Sequence, residues 1–313
     1  MSASIIQISE PKDYSTEAIN IYSKFARVIQ GDLSDLEKME VIAVVIRLGQ
    51  TIDQSWIDKY PKLKFVISPT TGLSHFDVAY CKKKGIRIFS LQDCQEKLSE
   101  ISATAELTLG LIICLARHIP SALSHVKEEK WERDLFKGTQ LYGKTLGILG
   151  LGRLGSKVAS YAATMGMKIL AFDSDLEQPN FIKLGLKREE FNVVLKSSDI
   201  VTLHANETAD NKNLIDQTAI SEMKRGVLLI NTSRGSLVDE DAILENLING
   251  HVGGFATDVL ATEHQKKQSK LIEASKTLQN LLITPHIGGC TSDSMHQTEL
   301  IIARHFEKHC MLV

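Results

Sequence analysis

The 313-residue chain has no excess of either charge: 36 lysines and arginines stand against 38 aspartates and glutamates, a formal net charge of -2. That balance speaks against a nucleic acid or an anionic membrane as partner and leaves a small molecule as the expected ligand. Apolar runs long enough to span a bilayer are missing, and so is a leader with a basic start and a small-residue cleavage site. A soluble, cytoplasmic protein is therefore expected. Cys81, Cys94, Cys114, Cys290 and Cys310 are odd in number and contain no C-x-x-C pair, which argues against a disulfide framework or a structural zinc site; free thiols and no metal are expected. Repeats of solenoid period and low-complexity tracts are also absent.

What is present is length and alternation. With 43% hydrophobic residues, the chain can bury a large core and suggests about two domains. Ten short β-branched runs, "SIIQI", "VIAVVIR", "KFVIS", "IRIFSL", "KTLGILG", "KILAFD", "DIVTLHA", "VLLINTS", "GGFATDV" and "NLLITPH", are separated by helical stretches. This is the pattern of βαβ units and parallel sheets, and ten strands are too many for one comfortable sheet. A hinge is expected near Glu100, where residues 101–130 begin one long helical pattern. Residues 263–280 read as a long polar connection, and the amphipathic stretch from Thr291 as a helix that crosses back to the first domain.

In "GILGLGRLGSKVA", Gly150, Gly152 and Gly155 lie between a strand-like run and a helix-like one. Gly150 permits a tight turn, Gly152 lets the backbone approach a pyrophosphate, and Gly155 lets helix and strand pack closely. The helix N-terminus offers unpaired N–H groups to the phosphate. "KILAFD" then ends in Asp173, whose carboxylate suits an adenosine ribose 2′-hydroxyl and repels a 2′-phosphate, so NAD is expected over NADP.

Further on, Arg234 in "NTSRGS", Glu263 in "LATEH" and His286 in "ITPHIGG" each follow a strand-like run. Singly, each has a bland explanation: a helix-start charge, the beginning of a polar loop, a satisfied core histidine. Together, a guanidinium to hold a carboxylate and a histidine oriented by a carboxylate make the parts for moving a proton as a hydride is transferred. His204, at the end of "VTLHA", is expected to pack beside the cofactor.

At these residues the sequence resembles the D-isomer-specific 2-hydroxyacid dehydrogenase family, and most closely its D-3-phosphoglycerate dehydrogenase branch. "TAELTLGLIICLAR", "KWERDLFKGTQLYGKTLGILGLGRLG", "INTSRGSLVDEDAI", "ATDVLATEH" and "TPHIGGCT" match family blocks in order over about residues 68–291. The resemblance implies an α/β protein of two Rossmann-like domains: a flavodoxin-like substrate domain, residues 1–100 completed by 288–313, and an inserted NAD-binding Rossmann domain with a parallel sheet, residues 101–287. It implies Arg234, Glu263 and His286 as catalytic residues working in a cleft. Cofactor contacts are implied at Thr71, Arg153, Leu154, Asp173, Thr232, Asp258 and Gly288 besides the glycine loop, with Asp258 at the nicotinamide carboxamide. Substrate contacts are implied at Arg47, Leu48, Gly49, Thr71 and Gly72, with backbone N–H groups of residues 47–51 holding the substrate carboxylate. A homodimer through the NAD-binding domain would occupy the long helix from Ile101.

Three departures from the family stand out. The usual "EP" is "EH" at Glu263 and His264, so the turn there is not stiffened by proline; Pro69 stands where some phosphoglycerate relatives carry a basic residue, which bears on the substrate; and with Val313 as the last residue, serine feedback through a regulatory domain like that of longer relatives is not expected. The expected activity is NAD-dependent interconversion of D-3-phosphoglycerate and 3-phosphohydroxypyruvate, in serine biosynthesis. The alternatives are a general 2-keto acid reductase acting on glyoxylate or hydroxypyruvate, and a corepressor-like, NAD-sensing interaction protein.

Overall fold

The computed structural model describes residues 4–263 and 269–310. The chain divides into two compact units, Met1–Ile101 with Thr291–Val313, and Ser102–Cys290.

The first unit is built on five parallel strands, β1 (Ile5–Ile8), β2 (Arg27–Gln30), β3 (Val41–Val45), β4 (Phe65–Ser68) and β5 (Arg87–Ser90), in the order β2-β1-β3-β4-β5. This is the flavodoxin-like order, whose direction of winding reverses between β1 and β3. The sequence pattern missed β2: it is an edge strand, "RVIQ", with two apolar residues and no buried position. Apolar layers cover both faces of the sheet, as parallel strands require. One layer depends on the helix Ser292–Cys310, which starts at Thr291, whose Oγ1 accepts the Ser294 N–H at 3.1 Å. Its Phe306 is 2% exposed and meets Tyr22, Phe25, Phe65 and Phe89 edge-on, at centroid distances of 5.9, 5.4, 5.5 and 5.3 Å.

The second unit holds β6 (Thr145–Leu149), β7 (Lys168–Phe172), β8 (Ile200–Leu203), β9 (Val227–Asn231), β10 (Val252–Thr257) and β11 (Leu281–Ile283). They form one parallel sheet in the order β11-β10-β9-β8-β6-β7. A Rossmann sheet carries a further strand outside the second one. Here that strand is reduced to a single parallel bridge between Ala171 and Arg188, with the Glu189 N–H donating to Ala171 O at 2.9 Å. The winding reverses between β6 and β8.

Residues 101–130 form two helices instead of one, Ala103–Ala116 and Ile119–Lys127. Pro120 lies in the first turn of the second helix and cannot donate a hydrogen bond back into the first, and His118 turns the chain at φ +53°. The polar connection after Glu263 contains the short helix Lys270–Ala274; its first part, with His264, lies outside the described residues. No single helix among the described residues is long and apolar enough to cross a membrane. None of the five cysteines is disulfide-bonded, and Cys81 and Cys94 are buried.

Candidate active site

The second unit presents its loops at the carboxyl ends of its strands. β6 runs into the glycine loop, where Gly150 takes φ +96°, and a Cβ there would lie 2.6 Å from Ala205 N. Only glycine meets both demands. A Cβ on Gly155 would lie 2.0 Å from Gly150 O, so this glycine sets how closely the helix Arg153–Thr164 approaches β6. That helix buries Gly155, Val158, Ala159 and Ala162, one face at helical spacing. Gly152 differs: it caps the helix without a side chain, and nothing lies within 4 Å of the position a Cβ would take. Its open face at the N-terminus of the helix is a cradle suited to a phosphate. Arg153 and Leu154, both partly buried, open the helix.

Asp173 directly follows β7. Its Oδ2 accepts the Leu151 N–H at 2.6 Å and its Oδ1 accepts the Asp175 N–H at 3.0 Å, so the carboxylate is tied to the glycine loop itself. The residues present therefore fit a dinucleotide: an open phosphate cradle with an oriented carboxylate beside it.

Three further loops come together around His286. Its Nδ1 lies 3.1 Å from Glu263 Oε2 and 3.2 Å from Oε1, which turns Nε2 into the available ring nitrogen. His286 has φ +53°, a left-handed conformation that is uncommon for a non-glycine residue and needs support from its surroundings. Asp258 supplies the support. Its main-chain oxygen accepts the His286 N–H at 2.9 Å. Its carboxylate, 2% exposed, accepts from Thr284 Oγ1 at 2.6 Å, the Ile287 N–H at 2.8 Å and the Gly288 N–H at 2.7 Å. Gly288 is confined as well, since a Cβ would lie 3.0 Å from Asp258 Oδ2. Asp258 and Gly288, expected at the cofactor, thus spend these groups on the turn that holds His286.

Arg234 follows β9. Asn231 shapes its turn, accepting the Ser233 N–H at 3.0 Å and donating to Arg234 O at 2.9 Å. Burial pushes the Arg234 guanidinium down from its usual range, and the carboxylates of Glu263 and Glu207 push it back up. It remains a cation. The next residue, Gly235, was missed by the sequence reading. A Cβ on it would lie 2.0 Å from Leu260 C and 2.2 Å from Ala261 N. Backbone therefore rests on backbone, and the Arg234 turn is seated against the turn that carries Glu263.

Thr232 is buried and shares a 2.8 Å hydrogen bond with Thr108, so its hydroxyl anchors β9 to the helix Ala103–Ala116. His204 follows β8, with Nε2 3.1 Å from Thr202 Oγ1 and a buried Nδ1 that finds no partner among the described residues. Burial pushes its pKa down to about 4. It is a neutral, largely apolar surface beside the glycine loop.

In the first unit, Arg47, Leu48 and Gly49 follow β3, and Thr71 and Gly72 follow β4. The Arg47 guanidinium is ion-paired with Glu299 and donates to Lys12 O at 3.2 Å. The Arg47 and Gly49 N–H groups both donate to Glu10 Oε1, at 3.2 and 3.1 Å. No sequence motif pointed to Glu10. Thr71 O accepts from Gln92 Nε2 at 2.7 Å, and Gly72 O accepts from Thr70 Oγ1 at 3.0 Å.

Residues 109–288 match the model of the D-isomer specific 2-hydroxyacid dehydrogenase family, NAD binding domain. The chain belongs to this family. Among curated relatives of this 2-hydroxyacid dehydrogenase family member, D-3-phosphoglycerate dehydrogenase of Bacillus subtilis is 35% identical over 276 residues, covering 88% of this chain and 51% of the relative. The chain thus spans about half the length of that relative, and likewise of the Synechocystis enzyme of the same name, at 50%. Hydroxypyruvate reductase of Thermotoga maritima is 30% identical over 298 residues, covering 93% of this chain and 94% of the relative. Among solved structures, D-lactate dehydrogenase of Aquifex aeolicus, complexed with NAD and lactic acid, superposes with a TM-score of 0.84 at 26% identity, covering 98% of this chain and 96% of that one. The family's nucleotide is NAD, and the fold is its fold of two parallel α/β sheets.

Proposed function

We propose that this protein is an NAD-dependent oxidoreductase that interconverts a D-2-hydroxy acid and its 2-keto acid. The observation that carries the reading is the pairing of His286 with Glu263 beside the partly buried Arg234 cation. Gly150, Gly152, Gly155 and Asp173 would hold the dinucleotide, which supplies a hydride acceptor or donor at its nicotinamide ring. The chain's own residues do the rest. Arg234 binds and orients the carboxylate and polarises the adjacent carbonyl. His286 Nε2 takes the hydroxyl proton in oxidation and returns it in reduction. Glu263 fixes the imidazole so that Nδ1 carries a hydrogen and Nε2 faces the substrate. Thr71 and Gly72, and the N–H groups of residues 47–51, are assigned to the substrate on the same reading.

D-3-phosphoglycerate is the first substrate to test, because relatives of that name cover most of this chain. A second reading, reduction of an unphosphorylated 2-keto acid such as hydroxypyruvate, is favoured by two observations. Pro69 supplies no cation, and the Arg47 guanidinium is committed to Glu299. The test is side-by-side kcat/KM with NADH on 3-phosphohydroxypyruvate, hydroxypyruvate and glyoxylate. A preference of several hundredfold for the phosphorylated acid, the scale of one or two phosphate ion pairs at roughly 3–4 kcal/mol, supports the first reading. Comparable rates support the second, and no turnover of any overturns both.

We also propose a homodimer through the second unit. The helix Ala103–Ala116 is largely spent on that unit's own core. The helix Ile119–Lys127 buries nothing, and from there to Tyr142 the chain exposes Leu123, Val126, Trp131, Leu135 and Tyr142. Light scattering of wild type and Trp131→Glu checks it: a dimeric wild type and a weakened variant are expected.

A further inference from the structure

In an open α/β sheet, ligands bind outside the carboxyl ends of the strands where the winding reverses. In the first unit that point lies between β1 and β3. The two strand exits are joined there, with the Ser9 N–H donating to Val45 O at 3.0 Å. The next residue, Glu10, then lays its carboxylate on the chain leaving β3. Glu10 Oε1 receives the Arg47 N–H at 3.2 Å and the Gly49 N–H at 3.1 Å. Two main-chain donors two residues apart converging on one oxygen form a concave anion site. Gly49 is suited to it, because a Cβ there would stand 3.1 to 3.3 Å from the carboxyl atoms of Glu10. The Arg47 guanidinium takes no part: it reaches Glu299 and Lys12 O and lies 5.2 Å from the centroid of the Tyr14 ring.

We propose that Glu10 is an internal competitor for the substrate carboxylate, holding the Arg47 and Gly49 N–H groups until the 2-hydroxy or 2-keto acid displaces it. The proposal rests on the reading of residues 47–51 as substrate-binding. Two carboxylates on one pair of donors repel each other, so Glu10 must swing away before a substrate carboxylate can settle. The measured affinity is then the intrinsic one reduced by the fraction of molecules in which the donors are open.

Trp56 offers a readout that does not depend on turnover. Its Nε1–H donates to Gln50 Oε1 at 2.7 Å, within the same loop. The chain has two tryptophans, and the other, Trp131, is 86% exposed. In a Trp131→Phe background, the NAD-loaded protein is titrated with pyruvate, and with the neutral pyruvamide, while Trp56 emission is followed. Glu10→Ala is expected to tighten pyruvate binding about tenfold, and Glu10→Gln, which keeps a neutral acceptor in place, about threefold. Pyruvamide, whose carbonyl oxygen needs the same open donors, is expected to gain by the same factors. Unchanged or weaker pyruvate binding in both variants overturns the proposal, as does a gain confined to pyruvate, the mark of plain charge repulsion, or no pyruvate binding by any of the proteins. Turnover judges the enzyme reading separately. An active wild type whose Glu10 variants gain nothing keeps the activity and loses the competitor, whereas an inactive one whose variants gain pyruvate affinity does the reverse.

Discussion

His286 Nδ1 sits 3.1 Å from Glu263 Oε2, on a residue whose backbone is held at φ +53° by the buried Asp258. Orientation and proton transfer are thus separable. His286→Ala is expected to lower kcat by about 10²–10⁴-fold with NADH affinity changed by less than about twofold. Asp258→Ala, which touches no transferred proton in this scheme, is expected to lower kcat as well, by releasing the turn, and to lower Tm. Stopped-flow NADH binding, steady-state rates and thermal melts distinguish the two; an equal loss of NADH affinity and turnover in His286→Ala would contradict the acid/base role.

The two glycines of the nucleotide loop should fail differently. Gly155→Ala forces a methyl into Gly150 O and is expected to destabilise the fold by about 1–3 kcal/mol. Gly152→Ala meets no protein atom within 4 Å and is expected to leave Tm nearly unchanged while raising the Kd for NADH about tenfold or more, since the methyl enters the phosphate cradle. Urea melts and fluorescence titrations with NADH check both halves of the contrast.

His204 makes stability depend on pH in a defined window. Burial lowers its pKa from 6.5 to about 4, so the folded state binds fewer protons than the unfolded one between those values. Its contribution is complete above pH 6.5 and is lost as pH falls towards 4, a loss of about 3 kcal/mol at the bottom of the window. In urea denaturation, His204→Asn is expected to show a shallower fall in stability from pH 7 to pH 4.5 than wild type. Parallel curves would rule His204 out as the source.

Arg47 and Glu299 form a largely buried ion pair, with side chains 16% and 1% exposed. Glu299 also accepts the Ser15 N–H at 2.8 Å, at the start of the helix Thr16–Tyr22. Glu299→Ala leaves the Arg47 charge without its counter-ion and the Ser15 N–H without its acceptor, and is expected to cost about 3–5 kcal/mol. Chemical denaturation reads this directly; a change below about 1 kcal/mol would show that Arg47 finds other partners.

Much of this architecture was legible in the letters because parallel strands buried on both faces read as unbroken β-branched runs. Ten of the eleven strands among the described residues announce themselves in this way; β2, an edge strand with two apolar residues, carries too little burial to leave a pattern. The break at His118 was obscured because the apolar spacing continues across it, and only Pro120 hinted at a second helix. At the site, the glycine loop and the Arg234, Glu263 and His286 triad were visible because chemistry restricts residue type at fixed spacings. Glu10, Gly235 and the hold of Asp258 on the His286 turn were harder to read. An acidic side chain on a main-chain donor, or one backbone resting on another, is a long-range event that no local spacing encodes.

The first unit takes its core from both ends of the sequence, since Phe306 closes the layer that begins at Ile6. On the ribosome, residues 1–101 emerge long before the helix that covers them. The intervening unit has all of its own strands by Ile283 and can consolidate first, while the earlier segment waits with an apolar sheet face uncovered. Slow synthesis or a truncated transcript would therefore penalise the first-made part of this protein most, and a chaperone that binds nascent chains would find its natural client there.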